Sequence, residues 1–136
     1  MAHVSDDQYR TLALFRSTLR RFQKFSEDAA RACGLPPQQH QALLAVRGFA
    51  GDSAITVGEL AEQLQVRHHS AVGLADRLVA QDLVERSRTG EDRRQVRLAL
   101  TKHGEEVLAS LAKAHRAELR RLAPQLKELL AALDEG

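Results

Sequence analysis

Apolar residues recur at three- and four-residue steps over residues 5–33, which is the periodicity of an amphipathic α-helix. Ser5 and Gln8 have the spacing of a capping box at the start of this helix. The apolar positions are Leu12, Phe15, Leu19, Phe22, Ala29 and Cys33. Gly34 provides a stop, so the first helix is predicted to end near Cys33.

The middle of the chain predicts two shorter helices and a strand between them. Prolines suit the first turn of a helix over residues 36–47, and the glycine-containing segment 48–53 ends it. Its inward positions are predicted to be Leu43, Leu44 and Val46. Residues 55–57 predict a short strand, and Thr56 with Glu59 forms a second capping box. The helix that follows is about two turns long, with Leu60, Ala61 and Leu64 on one face.

The next helix begins after Arg67 and is predicted to bury Val72, Ala75, Leu78 and Val79. Four residues remain on its outer face: His68, His69, Ser70 and Gly73. Residues 83–88 and 95–100 predict two strands, with residues 89–94 as the hairpin tip. Thr101 caps a long last helix, in which Pro124 predicts a break and a new first turn.

Composition excludes several classes of protein. The aromatic fraction is 4% with no Trp, which leaves few side chains for stacking single-stranded bases. A net charge of only +2 means that a nucleic-acid surface must come from an uneven distribution of charge. Cys33 is the only cysteine, so no intrachain disulfide forms. With no signal-like start and no apolar run long enough for a membrane, the sequence predicts a cytoplasmic protein.

Residues 59–86 carry a resemblance to a known family. Their sequence, ELAEQLQVRHHSAVGLADRLVAQDLVER, is similar throughout to the helix-turn-helix and wing entry of the MarR family. Asp92-Arg93-Arg94 resembles that family's D-x-R motif, and Leu100-Thr101 resembles the L-T that opens its next helix. The flanking helices also fit, because the family folds its first and last helices from two subunits into a dimerisation layer. The resemblance covers essentially the whole chain.

The resemblance implies a mainly α fold with a small β wing, that is, an α/β winged helix-turn-helix. Residues 1–136 are then a single MarR-like domain, in which residues 6–47 and 101–134 supply dimerisation helices and residues 55–100 form the DNA-binding lobe. The implied function is sequence-specific regulation of transcription by a homodimer on double-stranded DNA. Such a protein is expected to be a ligand-responsive repressor with a pseudo-palindromic operator, without enzymatic activity or a cofactor.

Three positions depart from the family pattern. Gln65 stands where a turn glycine is usual, Arg67 where the next helix usually has a Ser cap, and Asp82 where a glycine often precedes the wing. These departures concern local geometry rather than the fold.

The predicted DNA contacts follow from the docking of a recognition helix in the major groove. The outward residues at its start face base edges, and Gly73 permits close approach of the backbone. Arg67 and Arg77 are assigned to phosphates, with pairing of Arg77 to Asp76 or Glu85 as the alternative. Arg94 resembles the family arginine that enters the minor groove, with Asp92 holding Arg94 or Arg86. The predicted DNA-binding residues are Arg67, His68, His69, Ser70, Gly73, Arg77, Arg86, Asp92, Arg93 and Arg94. The opposing interpretation is a polar helix face that is merely solvated.

Two apolar stripes predict a dimer. A helix over residues 6–33 is about 42 Å long, too long for one small lobe to cover its apolar side. The leucines between Leu119 and Leu133 make the same demand at the other end of the chain. A symmetric partner would bury both stripes in one interface, and the alternative is an intrachain helical hairpin.

The family resemblance also implies a phenolic or anionic effector, bound between the dimer layer and the winged lobe. Arg16, Phe22, Phe25 and His40 lie on helices that would line such a cleft, although core or surface positions explain each of them equally well. Cys33 lies far from the start of the first helix, where the peroxide-sensing members carry their cysteine, and is expected to be a buried structural thiol.

The remaining classes of function have little sequence support. The six histidines have no metal-ligand spacing, so no metal site is predicted. A winged helix used for protein docking is the first rival, and the arginines of the wing argue against it. A small-molecule enzyme on a helical dimer is the second, and the sequence offers no titratable pair for it.

Overall fold

The computed structural model of the protein describes residues 3–51, 53–88 and 94–134. Its helices and strands follow the predicted order, with boundaries within a few residues of the predicted ones. They are α1 (Asp6–Ala32), α2 (Pro37–Arg47), β1 (Ile55–Thr56), α3 (Val57–Leu64), α4 (His68–Ala80), β2 (Val84–Ser87), β3 (Arg97–Leu100) and α5 (Lys102–Asp134). The mainly helical fold with a small antiparallel wing is therefore confirmed.

Side chains cap the helices where the sequence predicted caps. At the start of α1 the Gln8 N–H donates to Ser5 Oγ over 3.2 Å, and the Ser5 N–H donates to Gln8 Oε1 over 2.8 Å. At the start of α5 the Gly104 N–H donates to Thr101 Oγ1 over 3.0 Å. Each bond satisfies a backbone N–H that has no partner within its own helix.

The chain forms two compact units. The first contains the residues up to Ala29 together with those from Ala112 onward, and the second runs from Ala30 to Leu111. In the second unit α2 packs against α3, α4 and β3. The three strands form an antiparallel sheet in the order β1-β3-β2, with Ile55 opposite Leu98 and Val84 opposite Leu100. These paired residues, except Leu100, are almost fully buried, so the sheet and helices share one core.

The structure corrects the predicted inner face of α2. Leu44 was expected to face inward, but it is 52% exposed. The buried residues Gln39, Ala42, Leu43 and Val46 follow steps of three, one and three, so they occupy a single face of the helix. Leu44 lies about 100° from Leu43 around the helix axis and therefore points away from that face.

The junction of α1 and α2 corrects a second expectation. Cys33 was expected to be buried, but it is a free, exposed thiol. The helix ends one residue earlier, at Ala32, and Gly34 adopts φ 76°, a left-handed conformation suited to glycine. Cys33 thus belongs to the turn and lies off the buried face of α1.

Helix α5 continues through Pro124, so the predicted break there is wrong. The helix runs from Lys102 to Asp134 with Pro124 inside it. Proline removes one backbone hydrogen bond from a helix interior. Leu122 and Leu129, on either side of Pro124, are buried, and this packing holds both halves of α5 in one helix.

Most of the exposed large apolar side chains in the described part of the chain belong to the first unit. On α1 they include Tyr9, Leu12 and Phe15, and on α5 they include Leu119, Leu126, Leu130 and Leu133. Leu130 and Leu133 are 65% and 69% exposed. Isolated exposed leucines are common, but a series along both helices is typical of a surface that another molecule covers. No described helix combines the length and apolarity of a membrane span.

Glu118 is a buried carboxylate on α5, only 6% exposed. Arg121 donates two hydrogen bonds to it, from Nη2 to Oε1 over 2.6 Å and from Nε to Oε2 over 3.0 Å. These bonds hold the pKa of Glu118 below its usual value, although burial alone would raise it. The folded protein therefore keeps Glu118 ionised to lower pH than the unfolded chain does.

We expect Glu118 to make folding sensitive to acid. Because its pKa is lowered on folding, its stabilisation is complete above the ordinary carboxyl pKa, about 4, and is lost as the pH falls through the lowered folded value. Urea unfolding between about pH 7 and about pH 3 should show a smaller loss of stability for Glu118→Gln than for the wild type. Glu128→Gln, at an exposed glutamate of the same helix, should retain the wild-type dependence. Identical acid profiles for the wild type and Glu118→Gln would contradict this expectation.

Candidate nucleic-acid interface

Helices α3 and α4 form a helix-turn-helix whose turn is fixed by local hydrogen bonds. Thr56 Oγ1 accepts from the Glu59 N–H over 3.1 Å, and Glu59 Oε1 accepts from the Thr56 N–H over 3.0 Å, which confirms the capping box of α3. After α3 the Val66 N–H donates to the Ala61 carbonyl over 3.0 Å. The turn then leads directly into α4, so the start of α4 is held against α3.

The two non-glycine residues at the turn positions adopt the backbone conformation that glycine favours. Gln65 has φ 54° and Asp82 has φ 57°. Both departures from the family pattern therefore keep the expected turn geometry, at the energetic cost of a side chain in the left-handed region.

Arg67 is the N-cap of α4, with extended backbone at φ −70° and ψ 154°. Its side chain makes no capping hydrogen bond to the described residues of the helix. A serine hydroxyl at this position would accept a bond from the N–H of N2 or N3, whereas arginine has only donors. The sequence thus replaces a capping residue with a positive charge at the start of the recognition helix.

We expect Arg67→Ser to stabilise the protein and weaken DNA binding. The new cap should add about 1 kcal/mol to the free energy of unfolding, because it satisfies one N–H of α4. Loss of one phosphate contact per half-site should lower affinity several-fold and reduce the salt dependence by about one ion for each contact. Arg67→Ala is the matched control, since it should lose the same affinity without gaining stability. Wild-type affinity in both variants would remove Arg67 from the interface.

The outward face of α4 carries the predicted recognition residues. His68, His69 and Ser70 are exposed at its first turn, as the sequence predicted. Gly73 is half-buried, and a methyl group built on it would lie 3.8 Å from the nearer terminal nitrogen of Arg77. The Arg77 guanidinium therefore folds back along α4 over Gly73, and the gap is wide enough for an alanine.

Val72 is the clearest correction on this helix, because it was expected to be buried and is 37% exposed. The buried face consists of Ala71, Leu74, Ala75 and Leu78, at helical steps of three, one and three. Small alanines allow α3 and α4 to approach closely, so they occupy the contact, and the larger valine faces outward. The predicted inward positions included Ala75 and Leu78, which are buried, and Val79, which is half-buried.

A concave surface of about 550 Å³ lies between α4 and the wing, and we call it the α4–wing concavity. It is lined by residues at the start of α3, on the outward side of α4 and on the wing: Thr56, Val57, Gly58, His68, Val72, Ala75, Asp76, Arg86, Arg88, Arg94, Gln95 and Val96. Three of these are arginines, all from the wing side, and His68 is the first residue of α4. The structure thus brings predicted residues from two separate motifs to one surface.

The predicted partner of Arg86 is different in the structure. Arg86, on β2, forms an ion pair with Asp76 of α4, so Asp76 is not available to Arg77 in the way the sequence allowed. Asp92 and Arg93 lie outside the described residues, and their predicted roles stay predictions. The Asp76–Arg86 pair joins the wing to the recognition helix, and no sequence signal points to it, because the two residues belong to different elements.

Arg97 has a structural position at the edge of the wing. Its Nη1 donates to the Ala54 carbonyl over 2.6 Å, and its Nη2 donates to Gln95 Oε1 over 3.3 Å. These bonds tie β3 to the chain just before β1. Arg97 therefore braces the sheet, while Arg88 and Arg94 contribute their charge to the α4–wing concavity.

The residues predicted for an effector pocket lie in both units. Arg16, Phe22 and Phe25 belong to the first unit, and buried His40 belongs to the second. Phe22 and Phe25 each meet the ring of His115 edge to face, at centroid distances of 5.9 and 5.5 Å. The sequence gave no sign of this aromatic cluster, because its members are about 90 residues apart. The effector pocket itself stays a prediction.

The metal prediction also has a structural counterpart. Among the described residues, histidine, cysteine and acidic side chains form no group of three that would hold a metal ion.

Comparison with known proteins gives consistent matches. A sequence model of the MarR family matches residues 34–95. The HTH-type transcriptional repressor MdtR of Bacillus subtilis (strain 168) is 31% identical over 110 residues, which is 78% of this chain and 66% of the repressor. The chain thus spans just under two thirds of the length of that relative.

Solved structures share the fold. AbsC of Streptomyces coelicolor, described as a MarR family transcriptional regulator, superposes with a TM-score of 0.75 at 23% identity, covering 99% of this chain and 92% of its own. MepR of S. aureus in complex with DNA superposes with a TM-score of 0.72 at 18% identity, covering 90% of this chain and 93% of its own.

Proposed function

Since this chain belongs to the MarR family, we propose that it is a sequence-specific, double-stranded DNA-binding transcriptional regulator. The α4–wing concavity is the observation that carries the proposal, because it joins the exposed start of a recognition helix to arginines of a wing. A helix of this kind reads base edges in the major groove, and arginines supply charge for phosphates and the minor groove.

The relatives support the same assignment. The B. subtilis relative is named a transcriptional repressor, and the S. aureus structure of the same fold is a complex with DNA. We therefore propose repression as the mode of regulation. The prediction that the chain is not an enzyme agrees with this family membership. The predicted cytoplasmic location stays part of the proposal, because the duplex must be accessible to the protein.

We propose that the regulator is a homodimer whose first units pack together. The exposed apolar side chains of α1 and α5 supply the surface, and a two-fold axis would cover both series at once. A symmetric dimer would present its recognition helices to half-sites about 34 to 36 Å apart, which favours a pseudo-palindromic operator. Sedimentation velocity should then give twice the 15.1 kDa mass of the chain at micromolar concentration. A monomer under these conditions would overturn the dimer.

Control by a phenolic or anionic effector is the family property that we also propose for this chain. An effector lowers DNA affinity only if it binds one conformation of the protein better than the other. Benzoate, which is both aromatic and anionic, is a suitable first probe. It should lower the affinity for the operator in a saturable way, and Phe22→Ala should weaken that response.

The DNA-binding proposal is tested by selecting duplexes from a random pool and measuring binding by fluorescence anisotropy. A palindromic consensus should emerge, and affinity for it should fall steeply with salt because phosphate contacts release counterions. A scrambled duplex should bind far more weakly. If no consensus emerges and all duplexes bind equally weakly, the protein is a docking module rather than a DNA-reading regulator.

A further inference from the structure

Val72 is a branched apolar side chain on the outward side of the recognition helix. It lies four residues after His68 and four before Asp76, so the three residues form one row along α4. All three line the α4–wing concavity. An exposed valine in this row contributes little to the core, since Ala71, Leu74, Ala75 and Leu78 form the buried face. Its position therefore calls for a partner outside the protein.

The charges around Val72 suit a contact with DNA. Asp76 would repel phosphates if its carboxylate were unpaired, but Arg86 forms an ion pair with it. His68 at the other end of the row is exposed at the first turn of α4. Val72 is thus an apolar position between a base-reading candidate and a neutralised carboxylate.

The major groove offers one apolar group to such a side chain. Guanine, cytosine and adenine present only hydrogen-bonding groups at their major-groove edges, whereas thymine adds its C5-methyl. A valine cannot donate or accept a hydrogen bond, so its favourable contact in the groove is with that methyl group.

We propose that Val72 is a specificity-determining residue that reads the C5-methyl group of a thymine in each half-site of the operator. This inference rests on the proposed DNA-binding function and adds to it the identity of one base. It assigns base recognition to a position that the hydrophobic pattern had placed in the core.

The test replaces each thymine of the selected duplex in turn with deoxyuridine, which lacks only the C5-methyl group. For the wild-type protein, one position per half-site should lose about fourfold in affinity, as expected for one methyl group removed from an apolar contact. Val72→Ala should bind the thymine duplex more weakly and should not distinguish thymine from uracil at that position. Val79→Ala, the same substitution two turns along α4, should retain the wild-type response to uracil.

The outcomes separate the two levels of the proposal. A selected consensus with no thymine whose methyl group depends on Val72 overturns the role of Val72 and leaves DNA binding intact. Equal uracil penalties in the wild type and Val72→Ala also overturn it, because the methyl group would then act through DNA shape. Absence of any selected consensus overturns the function and the inference together. Thermal unfolding of each variant verifies that the folded state is retained.

Discussion

Replacing Gly104 with alanine is expected to lower the free energy of unfolding by about 2–4 kcal/mol, a large share of the stability of a small protein. Gly104 lies in the first turn of α5, buried against the segment that precedes the wing. A methyl group at this position would overlap the carbonyl oxygen of Leu83 and would lie 3.0 Å from its carbonyl carbon. It would also lie 3.3 Å from Cγ of Leu100.

The overlap is costly because backbone rather than a flexible side chain must move. The Leu83 carbonyl accepts a hydrogen bond from the Thr101 N–H over 3.1 Å, and Thr101 Oγ1 donates to the Asp82 carbonyl over 2.6 Å. Moving this segment would weaken both bonds. The usual gain of about 1 kcal/mol for alanine over glycine inside a helix would offset only part of that loss.

Gly58→Ala is the matched control for this prediction. Gly58 lies in the first turn of α3, and a methyl group there would have no neighbour closer than Thr56 Oγ1, at 3.9 Å. Urea unfolding should therefore show equal or slightly higher stability for Gly58→Ala and a much lower midpoint for Gly104→Ala. Similar midpoints for the two variants would show that the contact at Leu83 relaxes without cost.

Arg94→Ala is expected to reduce affinity for the operator about tenfold per half-site, and so about a hundredfold for a symmetric dimer. Arg94 is exposed and lines the α4–wing concavity from the wing side. An arginine entering the narrow minor groove gains from its negative potential, and alanine has neither the charge nor the reach. The salt dependence of binding should become shallower as well.

The comparison for Arg94→Ala removes the same charge elsewhere. Arg120 is an exposed arginine of α5, and Arg120→Ala should leave operator affinity close to that of the wild type. Arg93→Ala should weaken binding less than Arg94→Ala does. Anisotropy on the selected and scrambled duplexes, with melting temperature as a check on folding, measures all three variants. Equal effects of Arg94→Ala and Arg120→Ala would mean that only net charge matters, and would remove Arg94 from the minor groove.

The sequence predicted the elements because their signals are local. Capping boxes at Ser5 and Thr56 involve residues three apart, and Gly34 is adjacent to the end of its helix. The periodicity of apolar residues likewise depends only on near neighbours in the chain. The helices and strands, their order and the exposed start of α4 could therefore be read without the fold.

The tertiary structure decided which side of each helix is buried and which distant residues meet. Periodicity gives an apolar face but not its centre, so the larger Val72 was placed inward although Ala71 makes the close contact between helices. The Asp76–Arg86 pair, the close approach of Gly104 to Leu83, and the continuity of α5 through Pro124 depend on elements packed against one another. Local sequence fixes the torsion angles that make a helix, whereas its packed face depends on the volume and charge of partners far along the chain.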